Sequence, residues 1–300
     1  MNRNKKQIMQ KITRHMTPYA YILPIVAILF VFIGISLILG IRYSFTRYNL
    51  IGTPQWEGLY NYKKMLSDKK LHQAMTTTFF MVIIIVPLQL VLSTCFATLI
   101  AKKRNTLLGK LAKAAIFIPV LSSSAVVGTV WKAILNGNNA MINGIFNFFG
   151  LEPNMLLGSS KTALVTVACI VVWKSMGYYT ILTLSAILSI SDHYYEAAKI
   201  DGANGFFLFT KITLPMLKPA IILNLFLSIA SGMQIFDLVY TLTGGGPSMS
   251  TTTIVMYLYN LTFKNGKAGY AMAVSNIFFL IVVGIIVLQR GFMKKEVSEL

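Results

Sequence analysis

The sequence predicts an all-α membrane protein with six transmembrane helices, from its composition, its uncharged segments and the positions of its basic residues. Hydrophobic residues make up 55% of its 300 residues and charged residues only 12%, whereas an average soluble domain has about 25% charged residues. The net charge of +18 accompanies long apolar segments. We therefore attribute this charge to the basic flanks of membrane helices and expect no nucleic-acid partner.

Six segments are long and apolar enough to be transmembrane helices. A helix needs about 20 mainly apolar residues to cross the hydrocarbon core, where every backbone polar group must be paired within the protein. The segments are 19–41, 78–101, 114–135, 162–190, 220–242 and 268–289. The run 254–263 is also apolar but too short to cross, so we expect a loop element that lies at the interface or dips partly into the membrane.

The distribution of Lys and Arg predicts that both termini lie in the cytoplasm. About twice as many basic residues fall in segments on the side of the termini as on the opposite side, and cytoplasmic flanks retain positive charge. The first apolar run exceeds the about 7–15 residues of a signal-peptide core, so we expect it to stay as an anchor. The predicted organisation is a basic cytoplasmic segment at 1–18, attracted to anionic lipid headgroups, a transmembrane domain at 19–290 and a cytoplasmic tail at 291–300.

The connection between the fourth and fifth segments, 191–219, is longer than the about 2–8 residues usual between packed helices. We expect a first helix that begins at Ser191 or Asp192 and ends at Ile200, then a turn at Gly202 and a second helix at 206–212. Aromatic residues at 206, 207 and 209 would be costly to expose, so the membrane domain or a soluble partner should cover them. An amphipathic interfacial loop is the simpler alternative.

A Glu-Ala-Ala triplet in this loop is followed at fixed offsets by small, apolar and proline residues. The matching residues are Glu196, Ala197, Ala198, Lys199, Ile200, Asp201, Gly202, Ala203, Phe209, Ile212, Leu214, Pro215 and Pro219. This pattern resembles the EAA loop of ABC importer permeases, especially those of the carbohydrate-uptake branch. Further similarity lies at 58–62, Pro119, Trp131, 236–237, 242–247, Tyr257 and Gly269, so that it covers nearly the whole chain.

The resemblance implies a permease subunit with the type I ABC importer fold, in a bacterial cell membrane. In that family an extracytoplasmic solute-binding protein delivers the sugar, and the EAA loops of two permease subunits dock on two ATP-binding subunits. It implies a second, homologous permease chain, and a heterodimer in sugar systems. ATP and Mg²⁺ would be bound by the partner ATPase, and this chain would hold no cofactor. Consistent with this, the glycine run 244–246 lacks the Lys of a phosphate-binding loop.

The resemblance assigns the ATPase contact to particular loop residues. Glu196 and Asp201 would supply polar and capping contacts, Ala197 and Ala198 would allow close approach, and Gly202 would form the turn. The matches at Ala203, Ile212, Leu214 and Pro215 complete this set.

Five residues in or near the predicted spans are candidates for the substrate pathway: Trp173, Lys174, Tyr178, Gln234 and Asp237. Ionisable residues inside a membrane usually face a cavity or a partner. Lys174 could donate to sugar hydroxyls or form a structural pair with a carboxylate or carbonyl groups. Asp237 could accept from sugar hydroxyls or cap the turn at 243–247. The aromatic residues could stack on sugar rings or simply pack between helices.

Two other classes of protein compete with the importer interpretation. An ion-coupled secondary carrier would work without an ATPase, but it leaves the EAA loop unexplained, and only three charged residues, Lys132, Lys174 and Asp237, lie within the predicted spans. An intramembrane enzyme needs a nucleophile with a base, or metal ligands. The three histidines lie outside the predicted spans, and Cys95 and Cys169 lack metal-ligand spacing. We therefore expect a transport subunit, with no catalytic residue and no metal site.

Overall fold

The structure is a computed structural model, which describes residues 19, 21–135, 144, 147, 148, 150 and 153–297. The predictions for 1–18 and for the end of the tail lie outside these residues. Within them the chain is almost entirely helical and forms two compact units. The described parts of 1–67 form the first unit together with 261–278. The described parts of 68–260 and 279–300 form the second.

The first unit begins with helix α1, Tyr21–Ser44, which contains a π-helical turn at Phe30–Ile35. A two-stranded antiparallel ribbon follows, in which β1 (Thr46–Arg47) pairs with β2 (Gln55–Trp56), and helix α2 spans Tyr60–Ser67. The buried Asn61 fixes α2 to the end of α1, because its Nδ2 donates to the carbonyl oxygens of Ser44 (2.9 Å) and Thr46 (3.0 Å). The described residues bury none of the most apolar part of α1.

The second unit is built around two long helices, α3 (Lys69–Lys102) and α7 (Ala163–Ser189), which pack along each other. Between them in sequence lie the shorter helices α4 (Leu107–Leu121), α5 (Ser124–Ile134) and α6 (Pro153–Gly158). The helices that follow are α8 (Asp192–Ile200), α9 (Gly205–Met216), α10 (Lys218–Met233), α11 (Asp237–Leu242) and α12 (Ile254–Tyr259). The last helix, α13, spans Ala268–Val297.

Four of the six predicted spans are continuous helices that are long and apolar enough to cross a membrane. They are Tyr21–Ser44, Lys69–Lys102, Ala163–Ser189 and Ala268–Gln289. The short run at 254–263 forms α12 and a π-helical turn, Asn260–Lys264, and does not form a spanning helix. The count is six only if each of two bent helix pairs is one span.

The third predicted span is wrong as a single helix over 114–135. Helix α4 begins earlier, at Leu107, and meets α5 at an angle of 98°. Ser122 and Ser123 between them have extended backbone, with ψ of 142° and 137°. Serine competes with helical hydrogen bonding through its own side chain, so a run of serines favours a break.

The fifth predicted span, 220–242, is also interrupted. Helix α10 begins at Lys218, where it meets α9 at 65°, and ends at Met233. The chain resumes a helix only at Asp237, so that the predicted span contains two helices separated by a non-helical segment. Broken helices at membrane depth are tolerated where the backbone faces protein or a cavity.

A buried apolar cluster of the second unit joins α3, α5, α7, α11 and α12. Its members include Met81, Val127, Val167, Val239 and Met256. At Gly177 helix α7 approaches α4 so closely that a Cβ would overlap the carbonyl oxygen of Ile116. These contacts hold in place the helices that surround the candidate site.

Candidate functional site

A cavity of about 340 Å³ lies within the second unit, among α3, α4, α5, α7, α10 and α11. Four of the five predicted pathway residues line it: Lys174, Tyr178, Gln234 and Asp237. Trp173 does not line it, and its ring instead packs edge-on against Trp131 with centroids 5.5 Å apart. The structure therefore brings together the polar candidates from two predicted spans that are distant in sequence.

The helical period and the break in the fifth segment explain this convergence. Lys174 and Tyr178 are four residues apart on α7, so they share one face of the helix together with Val171. Gln234 follows the last residue of α10, and Asp237 is the first residue of α11. The interruption thus places both side chains at the cavity, together with Phe236.

The structure bears on whether Lys174 and Asp237 have a structural role. Lys174 is half-buried and takes part in none of the ion pairs found among the described residues. Asp237 does not cap the turn at 243–247. In that turn Thr243 Oγ1 accepts from the Gly245 N–H (3.2 Å), and Thr251 Oγ1 donates to the Gly246 carbonyl (2.8 Å).

The glycine run 244–246 forms a tight turn. Gly244 and Gly245 have φ of +61° and +90°, a region that favours glycine. Thr252 Oγ1 donates to the Gly245 carbonyl at 2.9 Å, and a Cβ at Gly245 would overlap that hydroxyl oxygen. The turn is therefore stabilised by threonine hydroxyls from the segment that leads into α12.

The cavity lining also contains uncharged polar residues, most of which the sequence analysis missed. Ser175 Oγ lies 2.9 Å from Gln89 Oε1, which joins α7 to α3. Tyr179 donates from its hydroxyl to Ser231 Oγ on α10 at 3.4 Å. Gln89 and Ser228 are fully buried in this lining. The only sequence signal for Gln89 is a single amide within an otherwise apolar stretch of α3.

The loop 191–219 contains the two short helices that the sequence predicts. Helix α8 ends at Ile200, Gly202 has φ of +80°, and α9 starts after Asn204, whose side chain accepts from the Phe207 N–H (2.9 Å). The second helix is longer than the predicted 206–212, since it continues to Met216 and includes Leu214 and Pro215. Helix α9 is π-helical at Phe209–Thr213 and ends with a three-residue α-helical segment, Leu214–Met216. Pro215 lies near the start of this last segment.

The two loop helices brace each other and expose apolar side chains. Tyr195 OH on α8 and Thr213 Oγ1 on α9 lie 3.1 Å apart. Ile200, Phe206 and Phe207 are 86%, 77% and 48% exposed. Most of the residues predicted to contact the ATPase are exposed, namely Glu196, Ala197, Asp201, Gly202, Leu214 and Pro215. The remaining three, Ala198, Ala203 and Ile212, are half-buried. An ion pair also joins the turn between α3 and α4 to α8, with the Arg104 guanidinium 3.8 Å from the Asp192 carboxylate.

An apolar helical domain with interrupted helices, a polar cavity among them and a braced loop with exposed apolar residues is the architecture of a solute permease. A family model described as binding-protein-dependent transport system inner membrane component matches residues 93–292, which is more than half of the chain. The chain belongs to this family, and the resemblance to permeases of ABC importers is confirmed.

Relatives in the family are named as sugar transport permeases. The chain is similar to the trehalose/maltose transport system permease protein MalF of Thermococcus litoralis, with 31% identity over 281 residues that cover 93% of this chain and 94% of the relative. It is also similar to the multiple sugar-binding transport system permease protein MsmF of Streptococcus mutans, with 31% identity that covers 88% and 91% of the two chains.

Solved structures show the same fold. A chain of a bacterial ABC transporter involved in the import of the acidic polysaccharide alginate superposes with a TM-score of 0.85, at 20% identity, over 96% of this chain and 99% of the other. A second structure, of a bacterial alginate ABC transporter in complex with a periplasmic protein bound to alginate pentasaccharide, matches with a TM-score of 0.83 at 20% identity. The helical permease fold predicted from the sequence is thus confirmed.

Proposed function

We propose that this chain is the permease subunit of an ATP-driven importer. Its cargo is a carbohydrate of more than one sugar unit, which an extracytoplasmic solute-binding protein delivers. The observation that carries the proposal is the cavity at which Lys174, Tyr178, Gln234 and Asp237 meet. Ammonium, amide, phenol and carboxylate groups can together donate to and accept from sugar hydroxyls. Aromatic faces supply the apolar contact that a sugar ring also needs.

The cargo class is supported by the relatives. The names of similar permeases refer to trehalose and maltose, multiple sugars and arabinooligosaccharides. A cavity with apolar walls and a few convergent polar groups suits such ligands.

The loop 191–219 would couple this permease to a separate ATPase chain. Its helices are braced by the Tyr195–Thr213 contact, and the described part of the chain leaves the apolar side chains of Ile200, Phe206 and Phe207 exposed. A braced pair of helices transmits a displacement, whereas a flexible loop would absorb it. One such loop engages one ATPase, so a pair of ATP-binding subunits requires a second permease chain with its own loop.

The proposed topology has six spans and cytoplasmic termini. It counts α4 with α5 as one bent span and takes α10 with α11, within 220–242, as the fifth span, so that α9 stays in the cytoplasmic loop. With the termini inside, the loop 191–219 and the basic residues 102–104 lie on the cytoplasmic face, an orientation that the excess of Lys and Arg on that side favours. The chain would reside in the bacterial cell membrane.

Purification of the chain from its native membrane in mild detergent tests the assembly. We expect a second permease chain and an ATP-binding subunit to accompany it, and ATP hydrolysis to rise when the sugar-loaded solute-binding protein is added. If the chain instead purifies alone, is stable without an ATPase and moves solute on an ion gradient, the proposal is wrong and the chain is an ion-coupled carrier.

A further inference from the structure

The cavity is lined by two buried polar side chains that do not use all of their hydrogen-bonding capacity within the protein. Gln89 is 0% exposed and Ser228 is 1% exposed. Among the described residues, Gln89 Nε2 has no hydrogen-bond partner and Ser228 Oγ has none of good geometry, and both residues line the cavity. The Tyr179 hydroxyl also lies near Ser228, but its single proton is donated to Ser231 Oγ. Buried donors and hydroxyls are nearly always paired in folded proteins, because an unpaired group loses its bonds to water without replacement.

The orientation of the Gln89 amide does not remove this deficit. Ser175 Oγ lies 2.9 Å from Gln89 Oε1 and 2.7 Å from the Val171 carbonyl, so the serine engages one end of the amide. A rotation of the amide by half a turn would pair Nε2 with the serine and leave Oε1 unpaired instead. One hydrogen-bonding atom of Gln89 therefore remains free for a group that enters the cavity.

The surroundings of these two groups define what could enter. Ile85, Val171 and Leu238 are apolar, and Tyr178 and Phe236 add aromatic rings. Among the described lining residues, one cation, Lys174, and one anion, Asp237, give no net charge. A group that combines hydroxyls with C–H surface, and carries no charge of its own, matches such a lining.

We propose that Gln89 and Ser228 form a subsite that binds an uncharged, hydroxyl-rich unit of the transported saccharide. This inference rests on the proposed function and adds two binding residues and a preference for neutral sugars. Hydroxyls of the sugar pair with Gln89 and Ser228, and water takes their place when no cargo is bound. The remainder of the saccharide extends past Lys174, Gln234 and Asp237.

Uptake into proteoliposomes that contain the complete importer tests the subsite. The probes are labelled trehalose, maltose, lactose and arabinotriose, with an alginate trisaccharide as the acidic counterpart. The variants are Gln89→Met and Ser228→Ala, which retain approximate shape and remove the free polar group. The matched control is Ser185→Ala, because Ser185 on α7 is exposed and its hydroxyl bonds to its own helix at the Ile181 carbonyl.

We expect import of at least one neutral sugar, a loss of maximal uptake of about tenfold in each cavity variant, and no change in the control. The half-saturation concentration should stay constant, since the solute-binding protein sets it. Unchanged uptake in both cavity variants would overturn the subsite, and import of the alginate trisaccharide in preference to the neutral sugars would overturn the charge preference. Import of none of the five probes, by a complex whose ATP hydrolysis still responds to the binding protein, would instead contradict the carbohydrate cargo.

A labelling experiment decides the matter if the cavity variants fail to fold. In a background of Cys95→Ala and Cys169→Ala, Ser228→Cys is treated with a small water-soluble methanethiosulfonate reagent. We expect it to react through the cavity, more slowly than Ser231→Cys, because Ser231 is exposed and Ser228 is buried. Thr183→Cys, at a buried position bonded to Asn224 outside the cavity, should not react. Reaction at 231 without reaction at 228 would show that Ser228 is closed to ligand and would overturn the proposal.

Discussion

The hydroxyl of Tyr257 on α12 donates to the carboxylate of Asp68 at 2.5 Å, and the same carboxylate caps the start of α3. The other oxygen of Asp68 accepts from the N–H groups of Lys70 (3.0 Å) and Leu71 (3.2 Å). One side chain thus fixes the α12 segment to the first turn of α3. The nearby bond from the Ile254 N–H to Thr78 Oγ1 (2.9 Å) reinforces this link.

Removal of the Tyr257 hydroxyl should destabilise the protein and change its response to high pH. Burial, and to a lesser degree Asp68, raises the pKa of Tyr257 above its ordinary value. The folded state therefore holds the phenol proton more tightly than the unfolded state. Stability from this group is complete below about pH 10 and falls as the pH rises further. Tyr257→Phe should lose about 1.5–3 kcal/mol near neutral pH, as for a hydrogen bond to a charged group.

Thermal unfolding of the detergent-purified complex between pH 8 and pH 11 measures both effects. The wild type should lose stability above about pH 10 more steeply than Tyr257→Phe. Parallel curves for the two proteins would show that this tyrosine does not contribute to the alkaline loss.

Close packing at Gly177 should make even a methyl group destabilising. A Cβ there would overlap the carbonyl oxygen of Ile116 on α4, whereas a Cβ at Gly284 on α13 meets nothing within 4 Å. Gly177→Ala should cost about 1–3 kcal/mol, because backbone must move apart to accept it. Gly284→Ala should be neutral or slightly stabilising, since alanine favours helix over glycine. Equal unfolding temperatures for the two variants would contradict the close approach of α7 and α4.

The turn of the loop at Gly202 should tolerate asparagine and not proline. Its φ of +80° is accessible to asparagine more readily than to most residues, whereas proline fixes φ near −65°. We expect Gly202→Pro to abolish sugar uptake while the protein remains in the membrane, and Gly202→Asn to retain most of it. Uptake assays with membrane abundance measured by immunoblot check this. Full activity of Gly202→Pro would exclude the loop as a rigid coupling element.

Charge reversal at Glu196 should break the contact with the ATPase. Glu196 is exposed on α8, where it lies 3.7 Å from His193 and supports nothing in the core. Glu196→Lys should therefore leave the protein folded and prevent stimulated ATP hydrolysis, and Glu196→Gln should have a smaller effect. Co-purification of the ATPase in undiminished amount with Glu196→Lys, together with normal uptake, would assign the contact elsewhere.

Substitution of Lys174 separates a pathway role from a structural one. No described carboxylate pairs with Lys174, so Lys174→Met should change transport by about tenfold or more with little loss of protein from the membrane. Lys110→Met, on an exposed position of α4, is the matched control and should have no effect. Loss of the folded protein in Lys174→Met alone would support a structural role for the lysine.

The sequence was sufficient for those helices whose ends carry clear signals. The prediction of 162–190 differs from α7, Ala163–Ser189, by one residue at each end. Ser191 before α8, and Gly202 after it, marked the loop helices correctly. Hydropathy could not predict the interruptions at 122–123 and 234–236. A short break with apolar residues on both sides hardly changes the mean hydropathy of the segment.

The sequence predicted the charged residues of the candidate site but not its buried uncharged polar residues. Lys174 and Asp237 are charged residues within apolar segments, so the sequence alone identifies them as candidates. Gln89 and Ser228 are uncharged, single and far apart in sequence. Their importance depends on α3 and α10 meeting at one cavity, a tertiary fact that the local pattern does not contain.

Transport by the reconstituted importer tests the central claim most directly. The complete complex is placed in proteoliposomes with the sugar-loaded solute-binding protein on one side and ATP on the other, without any ion gradient. The account predicts sugar accumulation that requires ATP, requires the binding protein and is lost in Gly202→Pro. Accumulation driven by a proton or sodium gradient without ATP would contradict it and would establish an ion-coupled carrier.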